Sequence, residues 1–248
     1  MKKIILFALS LGFTTGAFAV PGDFTPAQTK QIEGIVHNYL VNNPQVLMEA
    51  AEKLQQRAMV EEKNKTLATL PKFATEIFAL TPAKVAVGNP KGSVVMAEFS
   101  SYQCSHCRAM APVVDKMLKG NPDLQIIFIE WPIFGNEAVY AAKMVLAADK
   151  QGKYSVLRDA FMQSQESLRP EVADKIAATS GLDVAKLKID MNDKAIDEAL
   201  KNNFKLAEQL KLRGTPEFIF ANRGLTKFSI VPGQAGEENM LQAIKEVK

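Results

Sequence analysis

The chain of 248 residues holds two cysteines, and they stand three positions apart in Cys104-Ser105-His106-Cys107. Two thiols at that spacing can close a small ring by oxidation, or act as a dithiol on another disulfide. An apolar run, Val94-Val95-Met96-Ala97-Glu98-Phe99, precedes them, and a helix-like run starts near Ser105. A strand therefore delivers the pair to the start of a helix. Unpaired backbone N–H groups and the positive dipole end favour a thiolate at Cys104 there. Cys107 lies one turn inside, within reach of Cys104. The alternative is a structural disulfide, but a three-residue spacing closes too small a loop to constrain the unfolded chain much. A zinc site needs four ligands, and the only histidines are His37 and His106. Haem attachment requires a histidine after the second cysteine, where this chain has Arg108. No metal and no cofactor are expected.

The start of the chain indicates the compartment. Lys2 and Lys3 form a basic opening, Ile4 to Phe13 a short apolar core, and Ala17-Phe18-Ala19 a small-x-small cleavage site. Residues 1–19 read as a signal peptide cleaved after Ala19. The formal charge of +3 loses Lys2 and Lys3 with it, so a pI near 8.7 gives no reason to expect nucleic acid. No other stretch is long and apolar enough to span a membrane. A Gram-negative periplasm is the expected location, and a lone Cys-x-x-Cys can be held oxidised there.

Residues 20–70 form a helical segment. Thr25-Pro26 pairs a capping residue with a proline at the first helical position, and Asn43-Pro44 repeats the signal. Ile32, Ile35, Val36, Tyr39 and Leu40 share one face; Val46, Leu47, Ala50, Ala51, Leu54 and Ala58 make a second stripe. Two amphipathic helices cannot cover their own stripes. Their position ahead of the redox motif, followed by the charged run Glu61–Lys65, favours a second copy of the chain over packing within one copy. Residues 71–90 read as a connector with a short first strand near Lys84–Val87, punctuated by Pro71, Pro82, Gly88 and Pro90.

Residues 91–248 carry the rest. Val94–Phe99 and Leu124–Trp131 read as buried strands around a helix that Pro112 should kink. Residues 136–210 read as helical, with breaks at Gly152, Pro170, Gly181 and Asp193. Strands over Glu217–Ala221 and Phe228–Val231 and a helix over Glu237–Val247 close the chain. The order is βαβ, a helical block, ββ, α.

On these motifs the chain resembles the DsbA-like branch of the thioredoxin superfamily, in particular its N-terminally extended periplasmic members thought to assemble like the dimeric isomerase DsbC. Four features carry the resemblance. Glu98-Phe99 stands six residues before Cys104, where the family places a buried acid. Cys104-Ser105-His106-Cys107 resembles the Cys-Pro-His-Cys of DsbA. Pro112 matches the kink proline, and Thr215-Pro216 the cis-proline loop beside the dithiol. The helical block is in the family's place. The resemblance implies an α/β thioredoxin fold with an inserted helical domain, preceded by an α-helical oligomerisation segment.

It also implies roles. Cys104 is the nucleophile and Cys107 the buried resolving cysteine. His106 adds a charge or donor near Cys104, and Glu98 relays a proton to or from Cys107. Thr215 and Pro216 offer a backbone edge to an extended client. His106 resembles an oxidant, while Thr215 in place of valine and the N-terminal segment resemble an isomerase; Ser105 stands where strongly oxidising DsbA carries proline. The expected activity is formation or isomerisation of disulfides in exported, cysteine-containing clients. The implied partners are a DsbB-like oxidase or a DsbD-like reductase in the inner membrane, and a second copy in a homodimer. A holdase chaperone and a copper-handling dithiol protein are the alternatives. Trp131, Met110, Met144 and Met162 read as core or groove lining, and His37 as a packing or surface residue.

Overall fold

The computed structural model describes residues 24–248, so the expected leader, residues 1–19, lies outside them. The chain divides into two compact units, one up to Arg57 and one from Ala58 on. Helix α1 spans Pro26–Asn42 and opens with a capping box, Thr25 with Gln28. No residue of α1 is buried; Ile35 and Tyr39 are 68% and 57% exposed. Helix α2, Gln45–Phe78, follows after a one-turn break at Asn43-Pro44.

The connector expected from Pro71 begins later than the sequence suggests. α2 continues through Pro71 to Phe78. The proline faces solvent, and Leu70, Ala74 and Ile77, spaced by four and three residues, bury themselves in the second unit. An interior proline costs roughly 3 kcal/mol, and burying two large aliphatic side chains offsets that.

The sheet has five strands in the order β1-β3-β2-β4-β5. These are β1 (Lys84–Gly88), β2 (Val94–Ser100), β3 (Leu124–Glu130), β4 (Glu217–Asn222) and β5 (Phe228–Pro232). β2 and β3 are parallel, joined by α3 (Ser105–Gly120); the other pairings are antiparallel. All seven residues of β2 and of β3 are buried, because both faces of the central sheet are covered.

Between β3 and β4 come α4 (Asn136–Asp149), α5 (Tyr154–Gln163), α6 (Pro170–Thr179), α7 (Val184–Asp190) and α8 (Lys194–Gln209), and α9 (Glu237–Val247) ends the chain. On one face Val95, Ala97 and Phe99 of β2 meet Leu70 and Ile77 of α2 and Leu206 and Leu210 near the end of α8. On the other, Val94 and Met96 join Cys107, Met110 and Val114 of α3, with α4, α5 and α9. Trp131, Met110, Met144 and Met162 are core residues, as expected, and His37 is exposed on α1. The architecture is a mixed α/β thioredoxin-like fold with a helical insertion, preceded by helices. Among the described residues no helix is long and apolar enough to cross a membrane.

Candidate active site

β2 ends at Ser100, and a short turn brings Cys104 to the N-cap of α3. The Cys107 N–H donates to Cys104 Sγ at 3.3 Å. Cys104 Sγ lies 3.2 Å from the Thr215 carbonyl oxygen, to which its S–H donates. The Thr215–Pro216 bond is cis, and the contact of Cys104 Sγ with the Thr215 carbonyl places this loop against the dithiol, as expected. Both thiols are unbonded; Cys104 is 4% exposed and Cys107 fully buried.

The two thiols are pushed in opposite directions. Cys104 is lowered to about 5, first by the hydrogen bond from the Cys107 thiol and, more weakly, by the backbone N–H groups of Cys107 and His106, against the opposing cost of burial. Cys107 is raised far above an ordinary thiol, first by burial and then by the Cys104 sulfur. One thiol is ionised near neutral pH while the other keeps its proton, a division of labour suited to exchange.

His106 acts on Cys104 through its backbone amide. Its ring is on the exposed side of α3, with Nδ1 2.9 Å from Gln234 Oε1. Glu98 is fully buried in β2 on the face that α3 covers. Burial pushes its carboxyl up, Arg158 pulls it down, and Asp115 pushes it up again.

Several groups of this neighbourhood escaped the sequence. Arg158 of α5 is 2% exposed, with its guanidinium 3.8 Å above the Phe128 ring and 3.5 Å from Glu98. Glu130, at the end of β3, accepts from the Tyr102 and Tyr154 hydroxyls at 2.6 and 3.0 Å. It ties the turn before Cys104 to α5, and burial raises it to about 7. Asn203 of α8 donates to the carbonyls of Ala83 and Glu130. Glu217, next to Pro216, is raised to about 8 by burial. Glu130 alone had a sequence signal, being the one charge in an apolar strand, as Glu98 is in its own. Among the described residues no three metal-ligating side chains gather, so the two thiols are the soft donors at hand.

A sheet with this topology, a thiol of lowered pKa at a helix start and a cis-proline loop against it define a thioredoxin-fold dithiol oxidoreductase. Residues 95–245 match the model of the DSBA-like thioredoxin domain, and the chain belongs to that family. Residues 28–59 match the model described as the copper resistance protein ScsC N-terminal domain. The thiol:disulfide interchange protein DsbA of Bordetella parapertussis is 26% identical over 178 residues, covering 64% of this chain and 84% of the relative. A thioredoxin-like oxidoreductase from Silicibacter pomeroyi DSS-3 is 30% identical with a TM-score of 0.61, covering 66% of this chain and 91% of that one. BcfH of Salmonella enterica Typhimurium is 25% identical with a TM-score of 0.67, covering 89% and 96%. The protein is a DsbA-like thiol–disulfide oxidoreductase.

Proposed function

We propose that the protein works in the periplasm, where Cys104 attacks or is attacked by client disulfides and thiols, Cys107 resolves the mixed disulfide, and Glu98 carries the Cys107 proton. The observation that supports this most is the pairing of a lowered Cys104 with a buried, protonated Cys107 across one helical turn. The signal-like start of the sequence supports export. Thr215 and Pro216 form the client-docking edge. When Cys104 ionises it no longer donates to the Thr215 carbonyl, which is then free to accept an N–H from an extended client segment. His106 flanks this edge and tunes Cys104.

Reduction of a client runs as follows. The Cys104 thiolate attacks one client sulfur, the client disulfide breaks, and the other client sulfur leaves as a thiolate. Cys107 then loses its proton to Glu98 and attacks Cys104 Sγ, releasing the client's second thiolate and closing the Cys104–Cys107 disulfide. Oxidation is the reverse. Isomerisation uses the first step alone, with a client thiol displacing Cys104.

The N-terminal helices are proposed to associate two copies, since α1 buries none of its residues and Ile35, Tyr39 and Leu54 stand exposed. A DsbB-like oxidase or DsbD-like reductase resets the dithiol. Copper handling is a second reading, favoured by the match of residues 28–59 to the ScsC N-terminal domain; the two buried thiols would be the cuprous ligands.

Scrambled ribonuclease reactivation and oxidation of reduced ribonuclease test the enzyme. Cys104→Ala should abolish both, and Cys107→Ala should accumulate mixed disulfides with clients. Full activity in Cys104→Ala overturns the assignment. Competition with a cuprous chelator tests the second reading; retained copper binding after both cysteines are replaced removes it.

A further inference from the structure

Glu98 needs a counter-charge that its strand neighbours cannot supply. In the sheet it lies opposite Phe128 on β3 and Phe218 on β4. Neither of its carboxylate oxygens has a hydrogen-bond partner of ordinary geometry, although the Ser100 hydroxyl gives some help. The cation comes from outside the sheet. Arg158 reaches in from α5 of the helical insertion, sets its guanidinium carbon 3.8 Å from the centre of the Phe128 ring, and puts Nη2 3.5 Å from Glu98 Oε2. Its other terminal nitrogen, Nη1, meets different carboxylates, donating to Asp159 Oδ1 at 3.0 Å and lying 3.9 Å from Asp115 Oδ1. Asp115 and Asp159 are about two-fifths exposed. Both line a groove of about 680 Å3 that starts beside the dithiol at Ser105 and runs along Arg108 and Pro112 of α3. One buried guanidinium thus meets a sealed carboxylate through one nitrogen and two wet ones through the other.

We propose that Arg158 is a positioning residue for thiol exchange, which holds Glu98 ready as the proton acceptor for Cys107 and couples it to Asp115 and Asp159 on the wall of the open groove.

The proposal rests on the assignment of Glu98 as the base for Cys107. An isolated carboxylate buried among apolar groups would stay protonated and could not accept the Cys107 proton. Arg158 favours the charged form, and the two aspartates moderate it by sharing the guanidinium. Other groups facing this space act in known directions. Glu130 on β3 repels a second negative charge, and the Tyr102 and Tyr154 hydroxyls donate to Glu130 rather than to Glu98. In the step concerned, the Cys107 S–H bond breaks and its proton passes to a Glu98 oxygen. The sulfur electron pair forms the bond to Cys104 Sγ, and the bond from Cys104 to the client sulfur breaks with the client leaving as thiolate. The net charge of the Glu98–Cys107 pair falls on the departing client, and Arg158 stays charged throughout.

The test uses the full-length reduced protein mixed with oxidised glutathione, with rapid-quench mass spectrometry following decay of the Cys104–glutathione mixed disulfide across pH. The parent's decay should quicken through an inflection as pH rises. Arg158→Met should move that inflection upward by about one unit or more, so that decay slows roughly tenfold on the acidic side and recovers on the basic side. Arg158→Lys should recover at least half of the shift. Asp115→Asn, which removes a charge that opposes ionisation, should move the inflection the other way. The thiolate absorbance of Cys104 should titrate as in the parent in all three. Equal slowing of Arg158→Met at every pH, or an unmoved inflection, overturns the proposal. If Arg158→Met does not fold, an unmoved inflection in Asp115→Asn overturns it instead. Glu98→Gln separates the two ideas: a parent-like profile there refutes the role of Glu98 itself, whereas a lost inflection there with an unmoved one in Arg158→Met refutes only Arg158.

Discussion

The two thiols differ because one is met by donors and the other by apolar side chains, and that difference makes predictions of definite sign. Folding lowers Cys104 from an ordinary thiol value of 9.0 to about 5, so its contribution to stability is present above 9 and is lost as pH falls through 5. The reduced protein should therefore outlast the oxidised one in urea near neutral pH, by roughly 2 kcal/mol, and the gap should close below about pH 5. A gap that widens in acid would contradict the assignment. His106→Ala should leave most of the lowering in place, since the donors to the sulfur are the Cys107 thiol and backbone amides, while the His106 ring bonds Gln234. Thiolate absorbance against pH measures it, and a return to an ordinary thiol value would show that the ring does the work. Glu217 shows the opposite linkage. Burial raises it from 4.5 to about 8, and among the described residues no cation pairs with it. The folded state then holds a proton that the unfolded chain has released, so stability falls as pH rises from about 4.5 to about 8. Glu217→Gln should stabilise the protein by about 2 kcal/mol near pH 8 and by little near pH 4, as read from urea melts at the two pH values. The places of Cys104, Cys107, Glu98, Thr215 and Pro216 could be read in the sequence because rare residue types stood at family spacings; the roles given to them are proposals. Arg158 was not: an arginine in a ten-residue helix reads as solvated, and only the packing of α5 on α3 buries it.

At the scale of elements, short-range signals served well and long-range packing decided the rest. The start of α1 at Pro26 and the break before α2 followed from Thr25-Pro26 and Asn43-Pro44. Strands β2 and β3 were visible as continuous apolar runs, and the inserted helices as segments between glycine and proline breaks. The end of α2 was misplaced because a proline is a weaker stop than a buried stripe. Pro71 sits on the solvent side of a helix whose opposite side meets the sheet, so tertiary contact carries the helix seven residues further. That gives α2 two different stretches to test. Leu70→Ala and Ile77→Ala empty fully buried sites and should each cost about 2–4 kcal/mol in chemical denaturation of the catalytic unit. Leu54→Ala, at a side chain 70% exposed, should leave that transition unmoved and alter self-association. Equal effects in both stretches would mean that the helix behaves as one piece.

At the scale of the molecule, the chain joins a DsbA-like dithiol domain to helices whose apolar side chains stand exposed, and the point of division matters. Thr66 and Leu70 belong to the unit that begins at Ala58, so a deletion through residue 70 would open the catalytic core, whereas one ending at Arg57 would not. A chain starting at Ala58 should therefore fold, titrate at Cys104 as the full-length protein does, and sediment as a monomer. It keeps every group that touches the thiols, so its oxidation of reduced ribonuclease should match the parent's per active site. Isomerisation is different. It requires a client to be held while Cys104 is displaced by another thiol of the same client, and two sites facing a shared space hold a client longer than one. Reactivation of scrambled ribonuclease should accordingly fall several-fold in the truncated chain, with oxidation retained. Sedimentation of the full-length protein reads the stoichiometry directly, with a two-fold dimer expected. A larger closed ring would keep the role of the helices and replace the dimer, while a full-length monomer, or isomerase activity unaffected by the truncation, would leave α1 and the exposed part of α2 without the assembly function assigned to them.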